Sequence, residues 1–468
     1  MTPFDAWTLP ASAGDRLGEE RAEAAGGAVC YPVLSSEAMR GLCASLRGSR
    51  EALLSHAVLD IAASLGAVGA RFGSSGDPLR EAALSLLPHT AGLSPPMAEL
   101  VLDGMARDWT EPRLLELLEA EFADPRVLDT FQAGARGSSR ALGSPLTLHI
   151  GSGTVPGVSV TSLIRALLVK SAVLVKPGLG DVVLPNLFLR GLEEHAPEIA
   201  AAAAVLYWPG GEGPASDAEA AALAEADAVI VYGSDDTIRD VRNRTPASAR
   251  LVVYHHRLSL GLVGAEALTG DEMARATATS VALAVATFDQ RGCVSPHLVY
   301  VERGGAVSPH ALAGLLAEAL EALEREIPSG AITPEEASAV HQIRGAAELR
   351  MAAGEDVAVY AGGEAPWTVI YEPEPDFKPS CLNRVLRVVP VRKLVDVVPH
   401  LVRVRRHLQT VAVVGAGEVE AVELHESLAR AGALRITGFE AAPWPPPWWH
   451  HDGMGPLNTL VRWVDAEG

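Results

Sequence analysis

The sequence predicts an α/β protein with a doubly wound parallel sheet, a second α/β domain and a helical N-terminal lobe, and three observations lead there. From Pro145 onward, short apolar runs alternate with helical stretches long enough to cross back over a sheet. Each of these runs closes on a polar or glycine-bearing loop, as successive βαβ units do. Ahead of them, from Ser35 to about Phe131, apolar residues recur at three and four residue spacing, as in Leu53, Val58, Ile61 and Leu65, which is the helical period.

The helical lobe has its own punctuation. Ser36 before Glu37, Asp77-Pro78 and Ser94-Pro95-Pro96 read as helix starts. Beyond it, Leu146 to Ile150 reads as a strand, Gly151 to Gly157 as a loop and Val160 to Leu168 as a helix. Ser171 to Val175 is a strand that ends at Lys176-Pro177, with a helix following through Leu192. Ala203 to Tyr207 is a strand closed by Trp208-Pro209-Gly210-Gly211, and Ala228 to Tyr232 another, ending at Gly233-Ser234-Asp235-Asp236. Ligands of doubly wound sheets bind beyond the carboxyl ends of the strands, where these loops lie. Lys176 there supplies a cation, Ser234 a hydroxyl, and the helix after Gly233 a positive dipole end suited to an anionic cofactor. The plainer readings are a snorkelling surface lysine and an ordinary N-cap.

The second domain carries a thiol at an exposed kind of position. Thr287 to Pro296 reads as a helix exit bearing Cys293, with Gly292 beside it, leading into the apolar strand His297 to Val301. A nucleophilic cysteine is expected at such a place, although a cysteine beside a strand is more often inert core. Helices over Ser308 to Ile327 and Pro334 to Leu349 follow, then strands at Val357 to Tyr360, Val369 to Tyr371, Leu386 to Val389 and Val411 to Val414, with a helix over Val398 to Val404.

Composition narrows the function classes. With 468 residues, 48% hydrophobic and 21% charged, the chain exceeds one hydrophobic core and is globular. Its 38 Lys+Arg against 58 Asp+Glu leave a net charge of -20, which opposes attraction to nucleic acid or anionic membrane. Cys30, Cys43, Cys293 and Cys381 are widely spaced, without a CxxC pair, so neither a disulfide framework nor a zinc site is expected. No basic segment followed by an apolar run opens the chain, and no stretch is long enough to span a bilayer. The expectation is a cytoplasmic protein with no membrane insertion and no metal.

Taken in order, Gly153-Thr154-Val155-Pro156, Lys176-Pro177, Asp289-Gln290-Arg291-Gly292-Cys293-Val294-Ser295-Pro296 and the ending Trp448 to Trp463, with His451-Asp452-Gly453, resemble the aldehyde dehydrogenase superfamily. Within it the chain is most similar to the long-chain acyl-CoA reductases, the LuxC-type fatty acid reductases. The resemblance implies an aldehyde dehydrogenase-like fold with residues 1–143 as the helical lobe, 144–265 binding NAD(P), 266–435 catalytic and 436–468 a Trp/Pro-rich tail returning to the substrate entrance. It implies that Cys293 takes the acyl group of an acyl-CoA or acyl-carrier protein, which a reduced nicotinamide then converts to an aldehyde. It implies too a homo-oligomer, and a partner protein that passes acyl groups. Lys176, Pro177, Gly210, Gly233 and Ser234 are the implied cofactor-binding residues.

The chain departs from the family pattern at four places. Thr154 stands where the superfamily has an asparagine that donates to the oxyanion, and a hydroxyl is the shorter donor. Val253 to Ser259 contains no water-activating glutamate, which agrees with the reductive direction, and His255 or His256 is left to manage a proton. No acid follows Lys176 at the place that binds the ribose hydroxyls, which favours NADPH, with NADH the alternative. Around Pro379 to Arg384 the acid that holds the nicotinamide ribose is missing, and Asn383 or Arg384 stands in, with Cys381 as a competing nucleophile. The alternatives are a CoA-acylating aldehyde dehydrogenase in the oxidative direction and a non-reducing acyl-transfer subunit or pseudoenzyme.

Overall fold

The computed structural model describes residues 3–10, 16–134, 137–210, 216–361 and 366–467. The chain divides into two compact units, Met1–His255 with Pro446–Gly468, and His256–Pro445.

The first unit is built on a six-stranded sheet. In spatial order its strands are Arg250–Tyr254, Ala228–Tyr232, Leu146–Ile150, Ala172–Lys176, Ala203–Leu206 and Trp7–Thr8. The first five run parallel, and Trp7–Thr8 is an antiparallel edge. Strands Leu146–Ile150, Ala172–Lys176 and Ala203–Leu206 are buried throughout, and the last two read as near-continuous apolar runs, whereas Thr147 and His149 make the first alternate. The chain winds from Leu146–Ile150 one way to Ala203–Leu206 and then the other way to Arg250–Tyr254. The topological switch point is therefore between Leu146–Ile150 and Ala228–Tyr232.

The helical signals fall where the caps form. Helix Ser36–Ser55 is capped by Ser35, Pro78–Thr90 by Asp77 and Pro95–Ala106 by Ser94, each side chain accepting a backbone N–H of the first turn. Ahead of these helices, where no strand is expected, Arg16–Glu23 and Ala28–Leu34 form an antiparallel pair. Strand Gly137–Gly143 pairs with Val461–Ala466 from the far end of the chain.

The second unit holds a seven-stranded sheet ordered Ala358–Ala361, Thr368–Tyr371, Val385–Val391, Pro296–Glu302, Leu258–Val263, Leu408–Val414 and Arg435–Thr437. All neighbours are parallel except the first pair. Strand Val385–Val391 runs through Pro390, past the point where its neighbour Thr368–Tyr371 has ended opposite Val388. The stretch expected as helix over Val398 to Val404 is instead a 3-10 segment, Leu394–Leu401, with Pro399 inside it. Its ring removes an amide that an α-helix would need. Helices Asp271–Ala286 and Pro309–Glu326 cover one sheet face through Val281, Val285, Leu312 and Leu316. The opposite face closes over Leu260, Leu298, Tyr300, Val389 and Leu424. Among the described residues, no single helix is long and apolar enough to cross a membrane.

Candidate active site

Beside the switch point of the first unit, the loop after Ile150 lies against the loop after Lys176. A Cβ on Gly178 would sit 2.2 Å from the Gly153 nitrogen, and one on Gly180 2.2 Å from the Gly153 oxygen. Only bare backbone fits at that approach. Thr154 is exposed, with its Oγ1 3.2 Å from Ser152 Oγ. Asp181, fully buried, accepts from Gly157 N at 2.6 Å and Ser159 N at 2.8 Å, and so caps helix Val158–Leu168. Burial raises its pKa to about 7 against those two donors. Sequence reasoning missed Asp181, because an aspartate in a loop carries no sign of the amides it will meet.

Lys176 is not the snorkelling surface residue of the plainer reading. It is 7% exposed, with its Nζ 5.6 Å from the centre of the Trp208 ring. Burial lowers its pKa, opposed by the charge of Glu219, whose carboxylate accepts from Trp208 Nε1 and Arg244 at 2.5 Å each. Pro177 is buried beside it, and Gly210 is exposed with open space around it. Gly211 lies outside the described residues. Ser234 is the N-cap of helix Asp235–Arg244, its Oγ accepting from Thr237 N at 3.3 Å. Asp235 and Asp236 fill the first turn of that helix, so its dipole is already answered by two carboxylates.

The residues present fit a nicotinamide dinucleotide. The Gly153 and Gly178 backbones pack on each other beyond the carboxyl ends of parallel strands beside the switch point, and exposed Thr154 and Ser234 lie beyond the two strands that flank it.

His255 follows the strand end at Tyr254. Its backbone N–H donates to Asp452 Oδ2 at 3.0 Å, and its Nδ1 is 3.3 Å from Asp235 Oδ1. A carboxylate there selects the tautomer with the proton on Nδ1 and leaves Nε2 as acceptor. The stretch Val253 to Ser259 holds no acid, yet the fold brings Asp235 and Asp452 to it. Tyr254 stacks on Tyr232 with ring centres 4.4 Å apart and on His451 at 4.6 Å, and Trp449 stacks on His451 at 4.6 Å. The Trp/Pro-rich tail is thus anchored on the strand ends of the first unit from Pro446 on.

In the second unit, Cys293 sits just ahead of strand Pro296–Glu302, at the amino edge of the sheet. Helix Asp271–Ala286 gives way to Phe288, Asp289 and Gln290, which have φ of 60°, 50° and 65°. Gln290 Nε2 donates to Pro296 O at 2.8 Å and Val385 O at 3.0 Å, and its Oε1 accepts from Val385 N at 3.0 Å. Ser259 Oγ donates to Cys293 O at 2.6 Å. The thiol is half-buried at the end of a turn bound on both sides. His256 and His255 fall on opposite sides of the division between the units.

His297 was not singled out from the sequence. It is 3% exposed, and Ser380 N donates to its Nδ1 at 3.1 Å, which places the ring proton on Nε2. Asn383 and Arg384, expected as stand-ins for a ribose-binding acid, are both buried in the structure, and Arg384 pairs with Asp289. Cys381 is half-buried, and burial raises its thiol pKa. Among the described residues, no group of three or more His, Cys, Asp or Glu is arranged to hold a metal.

A family model described as acyl-CoA reductase (LuxC) matches residues 55–463. A long-chain acyl-protein thioester reductase of Photobacterium phosphoreum is 24% identical over 407 residues, covering 86% of this chain and 79% of that protein. One from Aliivibrio fischeri is 25% identical over 403 residues, covering 86% and 80%. Among solved structures, an NAD-dependent aldehyde dehydrogenase from Sinorhizobium meliloti superposes with a TM-score of 0.74 at 14% identity, covering 100% of this chain and 95% of that one. An NAD-dependent benzaldehyde dehydrogenase from Corynebacterium glutamicum gives 0.71 at 13% identity, covering 97% and 96%. These likenesses show an aldehyde dehydrogenase fold.

Proposed function

The chain belongs to the acyl-CoA reductase (LuxC) family, and we propose on that premise that it reduces an acyl thioester to the aldehyde through an acyl group held on Cys293. The observation that carries the reading is the turn that presents Cys293, its backbone fixed by Ser259 and by the Gln290 amide. Cys293 Sγ attacks the thioester carbonyl, the bond to the carrier sulfur breaks, and the carrier leaves as a thiol after taking a proton. His255 Nε2, with Asp235 beside Nδ1, is proposed to manage that proton. Thr154 is proposed as the side-chain donor to the oxyanion.

When bound, a reduced nicotinamide supplies the hydride that turns the acyl group into an aldehyde. Lys176, Pro177, Gly210, Gly233 and Ser234 are the residues proposed to hold it, with the Gly153 and Gly178 backbones beside them. NADPH is the preferred form. The acid nearest to Lys176 in the following loop, Asp181, is turned inward onto Gly157 and Ser159 and is fully buried, so no carboxylate there opposes a 2′-phosphate. By their printed names the relatives act on long-chain acyl-protein thioesters, and a long-chain acyl group on CoA or a carrier protein is the proposed substrate. A homo-oligomer in the cytoplasm, supplied by an acyl-transferring partner protein, completes the reading, with 144–265 as the cofactor domain and 266–435 as the catalytic one.

The test is to incubate the protein with long-chain acyl-CoA and acyl-carrier protein, follow NADPH and NADH absorbance, and weigh the intact chain. Aldehyde with loss of NADPH and a transient adduct on Cys293 is the expected result. A stable adduct with no cofactor loss would point to acyl transfer instead, and full activity in Cys293→Ala would remove Cys293 from the mechanism.

A further inference from the structure

Arg435 stands at the amino edge of the seven-stranded sheet, with two strands between its own and the one that Cys293 leads into. Ser259, near the start of strand Leu258–Val263, donates its hydroxyl to Cys293 O at 2.6 Å and accepts from Thr410 N at 3.0 Å. Thr410 is in turn the register partner of Arg435, the first residue of the neighbouring strand. One strand spacing, about 4.8 Å, therefore separates the Arg435 backbone from a residue bonded through Ser259 to Cys293.

The guanidinium is clasped by its own chain. Nη1 donates to Ala442 O at 2.8 Å and Nη2 to Ala441 O at 2.6 Å. The segment bearing those carbonyls is itself fixed against the cysteine's turn. Trp444 meets the Phe288 ring edge-on at 5.2 Å, and Phe439 fills the space over Gly261, where a Cβ would lie 2.5 Å from the ring. Carbonyls orient the planar fork while leaving its full charge in place.

Two charged groups of the turn are engaged elsewhere. Asp289 is held by Arg384 at 2.8 Å. Arg291 donates to Ala331 O at 2.9 Å and lies 3.7 Å from Glu336. His297 is pushed down to about 4 by burial, so it carries no charge at neutral pH, and His256 beside it is exposed. Burial lowers Arg435 to about 10, and the charge of Cys293 is what opposes that shift. At neutral pH the arginine remains a cation.

We propose that Arg435 is the positioning cation that holds Cys293 as a thiolate. This rests on the reading of Cys293 as the acyl-accepting nucleophile. The thiolate forms its bond to the thioester carbonyl carbon, the bond from that carbon to the carrier sulfur breaks, and the negative charge leaves on the carrier thiolate, which takes up a proton. Arg435 thus faces a charge in the resting enzyme and a neutral thioester once Cys293 is acylated.

The experiment is the pH dependence of Cys293 alkylation by iodoacetamide in the full chain, read by peptide mass at residue 293. It compares the unaltered protein with Arg435→Gln and Arg435→Lys, with circular dichroism to show each is folded. The unaltered protein should give a midpoint below the ordinary thiol value of about 8.5. Arg435→Gln should raise it by about one to two units, slowing alkylation at pH 7 by about 10- to 100-fold, and Arg435→Lys should restore most of the shift. An unchanged midpoint in Arg435→Gln, or a Lys variant as shifted as the Gln variant, overturns the proposal. Should the Gln variant unfold, a midpoint at or above about 8.5 in the unaltered protein overturns it as well. Acylation by acyl-CoA, read by intact mass, keeps the two readings apart. An adduct with unmoved midpoints removes Arg435 and leaves the function, whereas shifted midpoints with no adduct from any thioester keep Arg435 and remove the function.

Discussion

Arg384 places two N–H groups on one carboxylate oxygen of Asp289, Nε at 3.1 Å and Nη2 at 2.8 Å from Oδ1. The side chains are 1% and 3% exposed, and each belongs to a run of left-handed backbone. Phe288, Asp289 and Gln290 form one such run, and Leu382, Asn383 and Arg384, with φ of 70°, 54° and 57°, form the other. Such a backbone is unfavourable for residues with side chains and persists only where its surroundings hold it. Here the ion pair is joined by Glu324 and Ile327 O, which accept from Arg384 Nη1 at 2.6 and 2.9 Å.

Removing the arginine leaves Asp289 buried without its cation. Arg384→Met is expected to cost about 3–5 kcal/mol in urea unfolding. It should also change the native alkylation rate of Cys293, because the turn before it loses its anchor. A stability loss under 1 kcal/mol, together with an unchanged rate, would show that the pair does not set the turn.

Beside the switch point the governing contact is steric. Gly178 has an ordinary φ of -76°, so an alanine there meets no penalty of its own backbone, but its Cβ would lie 2.2 Å from the Gly153 nitrogen and 2.6 Å from Gly153 Cα and the Ser152 carbonyl carbon. Gly178→Ala is expected to raise the nicotinamide Kd tenfold or more and to cost about 1–3 kcal/mol of stability. Gly41→Ala, in helix Ser36–Ser55 with nothing within 4 Å of its Cβ, should weaken neither by a comparable amount. Equal effects of the two substitutions on cofactor titration would count against the packed loop pair.

These residues also show why the sequence discloses some parts of this molecule and not others. Strands such as Ala172–Lys176 and Ala203–Leu206 are legible because both faces are buried, which leaves a near-continuous apolar run between polar loops. Helix starts are legible because caps are local: Asp77 and Ser94 bond amides two or three residues on. The Cys293 turn is legible as a motif but not as a shape. Neither left-handed triplet contains a glycine, so nothing in Phe-Asp-Gln or Leu-Asn-Arg announces positive φ. Pairing of Gly137–Gly143 with Val461–Ala466 joins polar segments more than 300 residues apart, as the Ser139–Asp465 bond shows. Trp7–Thr8 is too short for any period to appear. The roles of Asp181 and His297 come from burial, which only the assembled fold defines.

Asp452 provides a graded test of the anchored tail. It has φ of 54° and accepts the His255 N–H at 3.0 Å. Asparagine tolerates that backbone and can still accept, so Asp452→Asn should cost under about 1 kcal/mol. Alanine loses the acceptor and is strained there, and Asp452→Ala should cost about 2–3 kcal/mol. Glycine, which relieves the backbone but not the lost bond, should fall between them. Thermal melts of the three variants check the order, and a glycine variant less stable than the alanine one would show that backbone strain is not part of the cost.

A pH dependence of stability attaches to His297. Burial lowers its pKa from 6.5 to about 4, with the charge of His256 acting in the same direction. The folded chain therefore binds fewer protons at this site than the unfolded one between those values. The stability it contributes is full above pH 6.5 and is lost as pH falls toward 4. Between pH 7.5 and 5 that loss is about 2 kcal/mol. His149, fully buried and lowered to about 3, adds a loss of the same sign. His297→Asn keeps an acceptor for Ser380 N and removes the titration. Urea unfolding at the two pH values should then show a change that differs from that of the unaltered protein by about 2 kcal/mol, whatever His149 and the oppositely shifted Asp181 contribute to both. A variant that loses as much stability on acidification as the unaltered protein would mean that His297 takes up its proton in the folded chain as readily as in the unfolded one.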